Sequence, residues 1–133
     1  MSNTITISIR DENVSGKILQ EHQVEFKSHT VTVKDIIEVR VRQEVYLYNQ
    51  SLPEFFYGLI QPSDAEKIIN GFKPRSKNPI DAEKQVYVAL DAFQKNGFFI
   101  LIDNVQSVSL DQQVELNNNT TISFLKLTPL VGG

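Results

Sequence analysis

The residues best suited to chemistry are the two glycines that end the sequence, Gly132 and Gly133. Without a Cβ they can pass through a channel that any side chain would block, and they adopt extended conformations barred to other residues. Pro129 has no N–H to donate, so strand pairing is expected to stop near Thr128. One interpretation is a tail that presents its carboxylate to the active site of another protein. The other is a frayed chain end, where disorder usually concentrates.

The two histidines, His22 and His29, are the next candidates, because imidazole is a common metal ligand. No cysteine accompanies them, and no carboxylate pair is obviously convergent with them. We therefore predict ordinary surface or hydrogen-bonded histidines and no metal site.

Charged residues form three further groups that could be mistaken for sites. Four alternate along one predicted helix, where we expect a solvated face with weak ion pairs rather than a catalytic or anion-binding cluster: Glu38, Arg40, Arg42 and Glu44. The basic loop 73–79 could bind phosphate or an acidic partner, but we favour a solvated connection. Four carboxylates lie at predicted helix starts without a nucleophile or base: Asp64, Glu66, Asp81 and Glu83. We predict no catalytic residue.

Composition limits the classes of protein that need to be considered. The chain has 133 residues, 41% of them apolar, and a net charge of −3, which is typical of one soluble domain and does not favour nucleic acid as a partner. The absence of cysteine excludes disulfides and thiolate nucleophiles. No apolar run approaches the roughly 18 residues of a membrane span, and no signal peptide is evident. We predict a cytoplasmic protein that does not associate with membranes.

The first third predicts a hairpin followed by a helix. Ile5, Ile7 and Ile9 alternate with polar residues, and a second alternating run covers 18–26, so two antiparallel strands are expected. Apolar residues then recur every three or four positions over 33–48, which indicates a helix packed on the sheet. Thr32 and Asp35 form a capping-box pattern at its start, and residues 49–51 end it.

The middle of the chain, 52–97, predicts an accessory helical layer. One helix is expected over 62–71 and another from residue 79 or 80 to a cap at Asn96 and Gly97. The second has an apolar stripe of Val86, Tyr87, Leu90 and Phe93. After it, strands are predicted over 98–102, 105–110, 114–116 and 121–127.

This order of elements resembles the β-grasp fold of the ubiquitin-like proteins. The resemblance implies an α+β fold with a helical insertion between the first helix and the third strand. Within one domain, 1–133, residues 1–51 supply the hairpin and first helix, 52–97 the insertion, 98–127 the remaining strands and 128–133 a flexible conjugation tail. More narrowly, 39–45, 52–56 and 124–133 look like bacterial ubiquitin-like modifiers encoded in antiphage operons beside activating, conjugating and deconjugating enzymes.

The resemblance implies a mechanism in which the chain is a substrate and not an enzyme. The carboxylate of Gly133 would be adenylated by an activating enzyme that uses ATP, passed to an enzyme cysteine as a thioester, and joined to a target lysine by an isopeptide bond. Gly132 would allow passage through the enzyme channel, and Pro129, Leu130 and Val131 would be recognised by the partner enzymes. The chain itself would bind no cofactor. Its tail departs from eukaryotic ubiquitin, which carries arginines before the glycines, so a dedicated apolar groove is expected in the partner.

Modifiers of this kind usually bind partners through an apolar patch on the outer face of the sheet. The register of the last strand decides which residues form that patch. In one register Ile122, Phe124 and Lys126 face outward, and in the other they exchange places with Leu125 and Leu127.

Two alternative functions fit the same residues. A sulfur carrier of this fold would convert its terminal carboxylate to a thiocarboxylate after the same adenylation. A non-covalent β-grasp interaction domain would bind its partner even without Gly132 and Gly133.

Overall fold

The computed structural model describes residues 4–52, 58–60, 65–68, 71–74 and 79–126 as a mixed α+β arrangement. Its described helices are α1 (Val33–Ser51) and α2 (Ala82–Gln94). The described strands are β1 (Ile5–Glu12), β2 (Ile18–Phe26), β3 (Thr30–Thr32), β4 (Ala65–Ile68), β5 (Gly71–Pro74), β6 (Phe98–Ile102), β7 (Val105–Gln106), β8 (Gln113–Glu115) and β9 (Ile122–Lys126). Neither described helix is long and apolar enough to cross a membrane.

A five-stranded sheet with the order β2-β1-β9-β6-β7 forms the centre of the fold. The predicted N-terminal hairpin is confirmed, since β1 pairs antiparallel with β2 in a register that places Ile7 beside Val24. Strand β9 lies between β1, to which it is parallel, and β6, to which it is antiparallel. Because side chains alternate across a sheet, Ile5, Ile7 and Ile9 all point into the core beneath α1.

Helix α1 begins and ends where the sequence predicts. The amide of Asp35 donates to Thr32 Oγ1 at 3.1 Å and the amide of Thr32 donates to Asp35 Oδ2 at 2.9 Å, which is a complete capping box. At the other end Leu52 adopts a left-handed conformation with φ of 42°, and its N–H donates to the carbonyl of Tyr48. The helix buries Ile37 and Val41 against the sheet.

The expected helix over 62–71 is wrong. Strands β4 and β5 pair antiparallel there, with Ala65 opposite Pro74 and Ile68 opposite Gly71. The Asn70-Gly71 pair and Pro74 interrupt the segment within one or two turns, which is too short for a helix to be stable. The insertion therefore contains a hairpin as well as a helix.

Helix α2 starts later than predicted and presents a different face. Asp81 is its N-cap and accepts a hydrogen bond from the amide of Glu83 at 3.1 Å. Val86, Ala89 and Phe93 are buried, whereas Tyr87, expected in the apolar stripe, is 73% exposed. Adjacent helix positions are about 100° apart, so a stripe centred on Val86 turns Tyr87 toward solvent.

The last third follows the predicted order of strands. β6 has the predicted bounds, whereas β7 covers only Val105–Gln106, and β8 pairs with β3 in a separate two-stranded sheet. Asp103 and Asn104, both with positive φ, form the tight turn between β6 and β7.

Candidate functional site

The predicted conjugation tail lies beyond the described residues. Gly132 and Gly133, together with the predicted recognition residues Pro129, Leu130 and Val131, fall in the segment 127–133. The structure does describe the strand that precedes this tail, β9, which ends at Lys126.

The end of β9 lies at a defined position of the sheet. Leu125 pairs with Glu12 near the end of β1, and Lys126 pairs with Phe98 at the start of β6. Strand β9 is therefore flanked on both sides, and Lys126 lies at the edge of the sheet where β1 ends and β6 begins.

The register of β9 corrects the outward orientation considered for Ile122, Phe124 and Lys126. Ile122 and Phe124 are both 0% exposed, because they lie beside Ile9 and Asp11 on the face of the sheet that packs under α1. Lys126 is half-buried, and its Nζ donates to the carbonyl of Gly58 at 2.9 Å.

The opposite face of the sheet carries a half-buried apolar strip. Leu125 lies directly opposite Phe99, and Leu101 lies next to Phe99 on that face, opposite the small side chain of Ser123. We call Phe99, Leu101 and Leu125 the outer strip. It follows the second of the two registers that the sequence left open.

A cluster of ionised side chains is buried directly under β9. Asp11 and Arg40 are each 1% exposed and Glu44 is 5% exposed. Both terminal nitrogens of Arg40 donate to Asp11, with Nη2 at 2.8 Å from Oδ2, and the same Nη2 donates to Glu44 Oε1 at 2.6 Å. The expected solvated position of Arg40 and Glu44 is wrong. We call Asp11, Arg40 and Glu44 the buried ion cluster.

Two patterns in the sequence indicate that the side chains of the buried ion cluster face the core. Asp11 continues the alternation of Ile5, Ile7 and Ile9, and so it belongs to the core face of β1. Arg40 and Glu44 occupy the same spacing as Ile36, Val41 and Tyr48, which is the buried stripe of α1. Their charge favours a solvated position, whereas their spacing on the helix places them in the buried stripe.

Glu44 binds the backbone of the insertion. The amide of Leu59 donates to Oε2 at 2.9 Å and to Oε1 at 3.0 Å, and the amide of Ile60 donates to Oε2 at 3.0 Å. Together with the bond from Lys126 to Gly58, these contacts join residues 58–60 to α1 and to the end of β9. The buried ion cluster thus positions residues 58–60 next to the C-terminal end of β9.

The surroundings of Asp11 and Arg40 shift the pKa of each toward its charged form. Burial alone would raise the pKa of Asp11, but the hydrogen bond from His22 and the charge of Arg40 outweigh it and hold that pKa below its ordinary value. Burial opposes the charge of Arg40, yet the two carboxylates raise its pKa. The guanidinium also lies 4.4 Å from the centre of the Phe124 ring, a favourable cation–π contact.

A metal ion is a second interpretation of these side chains. Ligand atoms of Asp11, His22 and Glu44 lie within 4.8 Å of one another. The guanidinium of Arg40, however, already bonds to both carboxylates, and its positive charge repels a cation. The geometry fits an ion-pair network, with His22 Nε2 at 3.3 Å from Asp11 Oδ2 at its partly exposed margin.

Comparison with known proteins identifies no relative: no family model, no curated protein and no solved structure matches this chain.

Proposed function

We propose that this chain is a ubiquitin-like protein modifier with a β-grasp fold. A partner activating enzyme would adenylate the carboxylate of Gly133 with ATP, and partner enzymes would join it to target lysines, in bacterial antiphage defence. The chain would act as a carried substrate in the cytoplasm, and a peptidase would reverse the linkage.

The single observation that carries this proposal is the position of β9. A β-grasp consists of a hairpin, a helix across it, and a last strand inserted parallel to the first, and β9 pairs in parallel with β1 through Ile9–Glu12. The residues after Lys126 include the terminal Gly132 and Gly133. A central strand followed by a segment whose last two residues are glycines suits delivery of a carboxylate into an enzyme channel.

The surroundings of β9 also suit this role. Phe124 is held between the stacked ring of Phe98, with centroids 5.6 Å apart, and the guanidinium of Arg40. Lys126 is tied to Gly58. These contacts hold the strand in place up to its last described residue.

The outer strip is the surface that we propose for partner enzymes. Phe99, Leu101 and Leu125 are partly exposed, adjacent, and on the face opposite α1. An apolar patch next to the end of β9 would let an enzyme bind the domain and the terminal carboxylate at the same time.

The test is mass spectrometry of the chain expressed with the genes that flank its own. Lys126 is the last trypsin site, so digestion would leave residues 127–133 attached to each modified target lysine. Deleting Gly132 and Gly133, or changing Gly132→Val, should abolish this product. Thr128→Ala, which alters the tail but keeps both glycines, is the matched control and should still form it.

The outcomes separate the proposal from its alternatives. A seven-residue remnant on target lysines that requires both glycines supports a modifier. A sulfur-for-oxygen exchange on the free protein, without conjugates, would instead indicate a sulfur carrier. Partner binding that survives the deletion, with an unmodified C-terminus throughout, would indicate a non-covalent interaction domain.

A further inference from the structure

The peptide group between Gly58 and Leu59 lies between two side chains of opposite charge. Its carbonyl oxygen, which belongs to Gly58, accepts a hydrogen bond from Lys126 Nζ at 2.9 Å. Its N–H, which belongs to Leu59, donates to Glu44 Oε2 at 2.9 Å and to Oε1 at 3.0 Å. A single planar group therefore joins the C-terminal end of β9 to helix α1.

Burial makes both contacts strong. Residues 58–60 and Glu44 are buried, and Lys126 is half-buried. Hydrogen bonds in which the donor or the acceptor is ionised are roughly twice as strong as neutral ones, and exclusion of water strengthens them further. The ammonium lies at the negative end of the peptide dipole and the carboxylate at its positive end, so each contact polarises the group in favour of the other.

The backbone of residues 58–60 depends on side chains for its hydrogen bonds. These residues belong to no helix or strand, so their amides have no partner of the kind that helices and sheets provide. Glu44 accepts from the amides of Leu59 and Ile60 instead. Because the peptide group is planar, turning its carbonyl away from Lys126 also turns its N–H away from Glu44. The two contacts are therefore expected to form and break together.

We propose that this peptide group couples the C-terminal end of β9 to residues 58–60 of the insertion. Withdrawing Lys126 from the carbonyl of Gly58 loosens the hydrogen bonds to Glu44, and loosening those bonds frees the end of β9. Coupling between two sites is reciprocal, so either one can act on the other. A partner that draws the ammonium of Lys126 away therefore also releases residues 58–60 from α1.

The coupling does not depend on the proposed function, because neither contact involves the terminal glycines. Under the proposed function it gives the insertion a regulatory role. An enzyme that binds the end of β9 through Lys126 would loosen the insertion, and a partner bound to the insertion would change how β9 is presented. The test below uses the chain alone, so its result is separate from that of the conjugation experiment.

The test is amide hydrogen exchange of the full chain, labelled with ¹⁵N and followed by NMR. Lys126→Met removes the ammonium and keeps a stem of similar length. We expect exchange at Leu59 and Ile60 to accelerate at least about fivefold. Lys17→Met, in the exposed turn between β1 and β2, is the matched control and should leave both rates unchanged.

Urea at low concentration distinguishes local opening from global unfolding. Opening of residues 58–60 exposes little surface, so the faster exchange in Lys126→Met should hardly change with urea. Exchange through global unfolding would instead rise steeply with urea, because unfolding exposes most of the core.

The reverse direction is tested at the amide of Leu125, near the end of β9. Glu44→Gln should accelerate exchange there at least about threefold. Glu44 also bonds to Arg40 in the buried ion cluster, so the double variant is needed to separate the two routes. In the Lys126→Met background, Glu44→Gln should have a clearly smaller effect on Leu125 than it has in the natural protein. If Glu44→Gln does not fold, Lys126→Met tests the coupling by itself.

Faster, urea-insensitive exchange at Leu59 and Ile60 in Lys126→Met would support the coupling. Natural exchange rates at both positions in that variant, or rates that rise steeply with urea, would overturn it. Full multiplication of the two single effects at Leu125 in the double variant would overturn it as well, because independent contributions add as free energies.

Discussion

Arg40 on helix α1 donates two parallel hydrogen bonds to the carboxylate of Asp11 at the end of strand β1, and both side chains are excluded from water. Glu44 completes the arrangement by accepting from Arg40 and from the backbone of Leu59 and Ile60. One guanidinium thus joins the helix, the first strand and the insertion beneath the strand that leads to the tail.

The stability of the domain should depend on Arg40 far more than on its neighbour Arg42. Arg40→Ala leaves two buried carboxylates without a counter-charge, and we expect a loss of about 3–5 kcal/mol in the free energy of unfolding. Arg42 is nearly half exposed and forms a surface ion pair with Glu38, so Arg42→Ala should cost less than about 0.5 kcal/mol. Urea denaturation of the two variants measures the difference, and equal losses would contradict a buried ion cluster.

The contribution of Asp11 should disappear in acid. Its pKa is held below the ordinary value of 3.8 in the folded state, so the folded state binds this proton less readily than the unfolded chain does. The resulting stabilisation is complete at pH well above 3.8 and is lost as the pH falls through the lower, folded-state pKa. The gap in unfolding free energy between the natural protein and Asp11→Asn should therefore shrink below about pH 4. A gap that stays constant from pH 7 to pH 2.5 would argue against this linkage.

Glu44 should control the anchoring of the insertion. In Glu44→Gln the carboxylate that receives the amides of Leu59 and Ile60 becomes neutral, and one oxygen is lost as an acceptor. We expect amide hydrogen exchange at both positions to accelerate by about tenfold or more, since hydrogen bonds to a charged group are the stronger kind. The change Glu38→Gln, on the exposed side of the same helix, is the control and should leave their exchange rates unchanged.

The register of β9 can be tested by two adjacent substitutions. Phe124→Ala removes a ring that is wholly buried and should cost about 3–5 kcal/mol of unfolding free energy. Leu125→Ala, in the outer strip, should cost only about 1 kcal/mol and, under the proposed function, should weaken binding of the activating enzyme. If Leu125→Ala proved the more destabilising of the two, the strand would have the opposite register.

The local elements were predictable because each depends on a short stretch of chain. Alternation of period two identifies the hairpin that includes Ile5, Ile7 and Ile9, and the pair of Thr32 and Asp35 marks the start of α1 through hydrogen bonds between neighbours. Over 62–71 the sequence carries two competing local signals, an apparent helix start and the turn formers Asn70 and Gly71, and the pairing of β4 with β5 agrees with the second.

The amino-acid sequence by itself determined the α+β composition, the first hairpin and helix α1, and it placed two glycines at its end. Only the tertiary structure decided that Arg40 and Glu44 are buried and that Phe124 rather than Leu125 faces the core. Asp11 and Arg40 are 29 positions apart, so nothing local joins them. Burying a charged side chain is costly unless a partner of opposite charge lies within hydrogen-bond distance. Here only the tertiary fold brings the strand and the helix that carry the two partners together.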